Sequence, residues 1–74
     1  MKSIKDKIIA ELKKQNTENP FDYDLCAHVN DIYVDVVHFD DNKWDLSVDN
    51  VHIEYLSSRI EAIERFEKCN LTFR

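Results

Sequence analysis

Behind Ser3, Ile4, Ile8 and Leu12 recur every fourth residue, the spacing that stacks side chains on one face of a helix. Asp6 follows Ser3 at capping-box distance, so residues 3–15 read as an amphipathic helix. The polar run 16–20 stops it, because Pro20 biases Asn19 away from helical geometry. From Phe21 the period falls to two. Phe21, Tyr23, Leu25, Ala27 and Val29 alternate with Asp22, Asp24, Cys26 and His28, which predicts a half-buried strand over 21–29. Asn30-Asp31 offers a hairpin turn with both residues at positive φ, and the β-branched and aromatic run 32–39 a second strand. Asp40-Asp41-Asn42 reads as a three-residue turn with Asn42 in the left-handed region, leading into a third strand over 43–48. Asp49 or Asn50 then caps a final helix over 50–69, on the strength of Ile53, Leu56, Ile60 and Ile63 at spacings of three and four.

These elements predict one α+β domain over 1–74 in the order αβββα, with a three-stranded antiparallel meander and both helices packed on one face. Hairpin geometry tests the register. A two-residue turn at Asn30-Asp31 pairs Val29 with Ile32, Ala27 with Val34 and Leu25 with Val36; a turn at Asp40–Asn42 pairs His38 with Trp44, Val36 with Leu46 and Val34 with Val48. Both assignments put apolar residues on a common face, the condition under which register is strongly specified. The opposite face then carries Asp22, Asp24, Cys26, His28, Tyr33, Asp35, Val37, Phe39, Lys43, Asp45, Ser47 and Asp49.

Charge gives that second face its interest. Eight of the nine aspartates lie between Asp22 and Asp49, where they meet one basic residue, Lys43. Segments 1–19, 20–49 and 50–74 carry +2, −7 and 0, together the net −5. Such a balance disfavours nonspecific binding to nucleic acid or anionic membranes and favours basic partner surfaces. Glycine is absent, so the phosphate-cradling turns of nucleotide-binding motifs are excluded and tight turns must use Asn and Asp. Charges interrupt Met1 to Leu12, leaving no apolar run for a leader or membrane span, and a cytosolic protein with two free thiols, Cys26 and Cys69, is expected. A chain of 74 residues buries a small core, and a partner or second copy would add stability.

Candidate chemistry is sparse. Ser47, Ser57 and Ser58 lack an evident base and orienting group, and paired carboxylates without a cleft do not make a glycosidase, so no enzymatic activity and no catalytic residue is expected. Cys26, His28 and Asp35 share a face, but His38 projects to the other, and the spacing matches no zinc motif; no metal and no cofactor is expected. The candidate partner-binding residues are Asp22, Asp24, Tyr33, Asp35, Val37, Phe39, Asp45 and Asp49, apolar groups rimmed by charge. The competing reading has Leu71 and Phe73 of the tail covering the same face. Val51, Tyr55, Ala62, Phe66 and Cys69 form a second apolar stripe on the final helix, which makes Tyr55, Ala62 and Phe66 a candidate dimer seam.

The αβββα order resembles that of double-stranded RNA-binding domains, but Asp49-Asn50-Val51-His52 stands where those domains place phosphate-gripping lysines, so RNA binding is not expected. In size, element order and charge the chain also resembles small acidic inhibitors encoded by phages, including anti-CRISPR proteins that imitate nucleic acid. That resemblance implies a non-enzymatic inhibitor, acting in the host cytosol on a protein with a basic groove such as a CRISPR effector. The alternative, from a different class, is a small homodimeric adaptor whose acidic charge serves only solubility.

Overall fold

The computed structural model describes residues 3–69, and they form two helices and a four-stranded antiparallel sheet. Helix α1 spans Ile4–Glu18, β1 Leu25–Val29, β2 Ile32–Asp40, β3 Lys43–Val48, β4 Val51–Leu56 and α2 Arg59–Glu67. The strands lie side by side in chain order, β1-β2-β3-β4. The α+β class stands, and the expected three-stranded αβββα arrangement is corrected to a four-stranded sheet.

Ser3 caps α1 as its sequence suggests, accepting a hydrogen bond from the Asp6 amide at 3.1 Å. The helix runs three residues past the expected end at 15, to Glu18, and stops where Asn19 turns extended (φ −90°, ψ 147°) before Pro20. Ile8 and Leu12 are its buried residues.

All six strand pairings expected for the two hairpins are present in the sheet. Details of the turns differ. Asn30 takes positive φ but Asp31 does not, and the second hairpin closes through a two-residue loop, with Asp40 opposite Lys43 and Phe39 as an extra, bulged residue.

Two larger expectations fail, for reasons visible in the contacts. The strand predicted over 21–29 begins only at Leu25, because residues 20–24 turn instead: the Tyr23 amide donates to the Pro20 carbonyl at 3.0 Å. The helix predicted over 50–69 is a strand followed by a shorter helix. Asp49 and Asn50 sit at φ 51° and 65°, the two positive-φ positions of a hairpin turn, and Val51 pairs back onto Val48. Strand β4 carries a bulge at Ile53, which faces Leu46 together with Glu54. The bulge leaves Ile53 and Leu56 packed on the core three residues apart, a spacing that imitates a helix. The real start of α2 is Ser58, whose hydroxyl accepts from the Glu61 amide at 3.2 Å.

Both helices cover one face of the sheet. Ile8 and Leu12 from α1 and Ala62, Ile63 and Phe66 from α2 join Leu25, Ala27, Ile32, Val34, Val36, Trp44, Leu46 and Val48 in one buried cluster. Lys5 ties the helices at one end, its ammonium donating to the Cys69 carbonyl at 2.6 Å and lying over the Phe66 ring. Arg59 ties them at the other. Only 7% exposed, its guanidinium donates to the carbonyls of Pro20 (2.9 Å), Tyr23 (3.0 Å), Asn16 (3.3 Å) and Asn19 (3.4 Å), and it lies against the buried Trp44 ring. Among the described residues no helix is long and apolar enough to cross a membrane.

Truncating Arg59 strips donors from four carbonyls at once. Arg59→Met is expected to cost about 3 kcal/mol in urea unfolding, since four partly buried acceptors lose their charged donor together. Arg59→Lys should recover little of it, because an ammonium lacks the planar five-donor fork. A loss below about 1 kcal/mol for Arg59→Met would show that water replaces the guanidinium.

Candidate functional site

The sheet face opposite the helices is the candidate site, and no other described element covers it. Leu71 and Phe73, the expected cover, lie outside the described residues. Strand register arranges the face in rows: His28 beside Tyr33, then Cys26, Asp35, Ser47 and His52, then Val37, Asp45 and Tyr55, with Phe39 and Lys43 at the end.

Asp35 sits at the centre of this surface on the second strand. Its Oδ1 is buried and has no hydrogen-bond partner among the described residues. Burial, followed by the nearby carboxylates of Asp45 and Asp24, pushes its pKa above the ordinary carboxylate range. Tyr33 responds to the same environment, its phenol raised by burial and then by Cys26 and Asp35. Asp45 is better satisfied. The Ser47 hydroxyl donates to its Oδ1 at 3.2 Å, and His52 Nδ1 lies 2.5 Å from the same oxygen. An ionised carboxylate only accepts, so the bonded His52 nitrogen carries the proton.

At the end of the face the Phe39 bulge turns its ring outward, 62% exposed, to a centroid distance of 5.2 Å from the Tyr55 ring, itself 44% exposed. The His52 ring lies 4.4 Å from that of Tyr55, tilted at 46°. Lys43 holds its ammonium 5.7 Å from the Phe39 centroid and 5.1 Å from that of Tyr55, within cation–π range.

The expected binding set is redistributed accordingly. Tyr33, Asp35, Val37, Phe39 and Asp45 lie on the outer face. Asp22 does not: the early turn leaves it off the sheet, beside the exposed Phe21 and Tyr23. Asp24 and Asp49 serve the backbone instead. Asp24 Oδ1 accepts from the His38 amide at 2.8 Å, and Asp49 Oδ1 from the Tyr33 amide at 2.9 Å, while the Asp49 amide donates back to the Tyr33 carbonyl at 2.6 Å.

The three dimer-seam residues do not share a surface. Ala62 and Phe66 are fully buried in the core, and Tyr55 sits on the opposite side of the sheet, because residues 51–56 form a strand. His52 and Tyr55 thereby join the outer face, two members that the helical reading of this segment misplaced. The signals for them were the Asp49-Asn50 turn and the Ser58 to Glu61 capping box, which together bound a strand between them.

His38 pairs with Trp44, its ring stacked on the indole at 4.5 Å, and all three histidines, His28, His38 and His52, are exposed. Among the described residues no group of three or more His, Cys, Asp or Glu is arranged to hold a metal ion. No family model matches this chain, and comparison with curated proteins and with solved structures finds no match.

The Asp35 environment sets a pH dependence. A carboxyl whose folded pKa exceeds its unfolded value binds its proton more tightly in the folded state, so stability falls as pH rises between the two values. Above the folded value the ionised group carries the whole cost. Asp35→Asn is therefore expected to melt at a higher temperature than the parent at pH 7, with the two curves converging in acid once Asp35 is protonated. Thermal melts followed by circular dichroism across this range check both points, and an Asn variant less stable at pH 7 contradicts them.

Proposed function

We propose that this chain is a non-enzymatic binding protein whose outer sheet face occupies a basic, nucleic-acid-binding surface of another protein. The observation that carries this reading is Asp35. Its buried oxygen has no donor among the described residues and its charge is crowded by Asp45 and Asp24, an arrangement unfavourable in isolation. A guanidinium or ammonium from a partner, approaching the half-buried carboxyl from the open face, offsets the crowding of the three carboxylates, and charge-assisted hydrogen bonds to carboxylates are the strong ones. Asp35 and Asp45 stand diagonally across the β2–β3 ladder, on a support too rigid to collapse around them. Tyr33, Val37, Phe39 and Tyr55 add apolar area beside the carboxylates, the mixed composition of a specific interface.

The biological setting that fits is inhibition in the cytosol, by competition with a nucleic acid for its protein. Anti-defence inhibitors of the anti-CRISPR kind belong to this class. Self-association through the same face is disfavoured, because a second copy would bring the Asp35 and Asp45 carboxylates against their own kind. This weighs against the adaptor reading.

The test uses immobilised protein and nuclease-treated cytosol, comparing the parent with a variant carrying Asp35→Lys and Asp45→Lys whose fold is verified by its melting curve. The parent is expected to retain a protein that is released by raised salt or by competing duplex DNA. The variant should bind that protein at least about tenfold more weakly, as removal of close charge pairs does. A captured protein that holds DNA and this chain together, or one that binds the folded variant equally well, would falsify the competition mechanism.

A further inference from the structure

We propose that the Phe39–Tyr55 ring pair is the seat for an arginine of the cationic protein partner, and that Lys43 fills this seat in the free protein and leaves it on binding. The inference rests on the reading of the outer face as a surface for a basic partner, and adds to it which side chain of the partner is recognised and where.

Occupancy by Lys43 is the first argument. Its ammonium lies 5.7 Å and 5.1 Å from the two ring centroids, so the site already holds a cation. Among the described residues Lys43 makes no ion pair, and its departure breaks no salt bridge. It is also the single basic residue between 20 and 49, placed on the face it would otherwise weaken. The ring pair itself is built: the bulge at Phe39 turns that side chain outward against Tyr55, and the His52 ring also contacts Tyr55, at 4.4 Å.

Complementarity of charge and shape then selects the occupant. Asp45 is the cross-strand partner of Tyr55, and both of its hydrogen bonds, from Ser47 and His52, converge on Oδ1. Among the described residues nothing bonds Oδ2, which is left for an incoming donor. A guanidinium stacks on an aromatic ring and donates in its own plane to a carboxylate at the same time, which an ammonium does not. An arginine therefore makes both contacts, whereas Lys43 makes only the first.

The experiment measures binding of an oligoarginine and an equal-charge oligolysine peptide to the parent, Lys43→Gln, Tyr55→Ala and the combined variant. Oligoarginine should bind the parent several-fold tighter than oligolysine. Lys43→Gln should tighten oligoarginine about fivefold by vacating the seat, and that gain should vanish when Tyr55 is also Ala. A gain of equal size in the Tyr55→Ala background means that Lys43 acts only through its charge and overturns the seat. Equal binding of the two peptides does the same.

A second readout follows the Lys43 ε-methylene protons by NMR. Ring currents displace them in the free protein, and they should return to ordinary positions when oligoarginine binds; protons that stay displaced in the saturated complex overturn the exchange. The wider reading fails separately. It falls if the parent binds neither peptide, or if Asp35→Asn with Asp45→Asn leaves both affinities unchanged.

Discussion

The Arg59 guanidinium is the contact on which the rest of the architecture depends. It opens α2, yet four of its donor contacts go to carbonyls at the end of α1 and in the turn that follows. A cation at the first position of a helix opposes that helix's own dipole. Here the opposition is offset twice. Asn16 and Asn19 belong to the negative end of α1, and Glu61 sits in the first turn of α2. Burying a charge without a carboxylate partner is tolerable only when its hydrogen bonds are met, and the fan of carbonyls meets them. In return the turn after α1 is held against Trp44, and the point at which β1 begins is decided.

That long-range contact explains one part of the fold that local pattern could not reveal. Alternation runs unbroken from Phe21 to Val29, but the Pro20 and Tyr23 carbonyls are drawn to a residue far along the chain, so the first positions turn rather than pair. The inner hairpins were legible because three conditions agreed: period-two alternation, Asn or Asp at the turns, and a single buried face. Their pairings follow from those conditions without tertiary information. Strand β4 was not legible for a specific reason. A bulge adds one residue to the repeat, and Ile53 and Leu56 then fall at the spacing of a helix while both facing the core. The capping box at Ser58 was the stronger signal, and it lay inside the segment read as continuous helix.

The concentration of aspartate now divides into two populations with different physical origins. A chain without glycine must make its turns from residues that tolerate the left-handed region or bond their own backbone; Asp31, Asp41 and Asp49 lie in such turns, and Asp40 at the end of β2 accepts from the Asp41 amide. Asp24 substitutes for a missing strand residue at the His38 amide. Asp22 is carried along by the Arg59-anchored turn. Among the described residues only Asp35 and Asp45 are aspartates that stand on the open face without a backbone amide to satisfy them. Much of the segment's charge is thus the by-product of building hairpins without glycine, and the part that asks for a partner is small and central.

The sheet's edges determine how such a partner can approach. Along β1 the Gln15 amide takes the place of a neighbouring strand, donating to the Cys26 carbonyl at 2.6 Å and accepting from its amide at 3.0 Å. Along β4 the Ile53 bulge breaks the even ladder, and the Glu54–Arg65 pair sits beside it. Side-chain cover and bulges are the devices by which sheets resist being extended by a foreign strand. With one edge bonded and the other irregular, recognition by strand addition is disfavoured. A partner therefore meets side chains on the face rather than backbone at the rim. On that face the crowded Asp35 and Asp45 carboxyls and the outward Phe39 and Tyr55 rings lie within one continuous surface, so the cation that offsets the first and the cation that stacks on the second can come from the same basic segment.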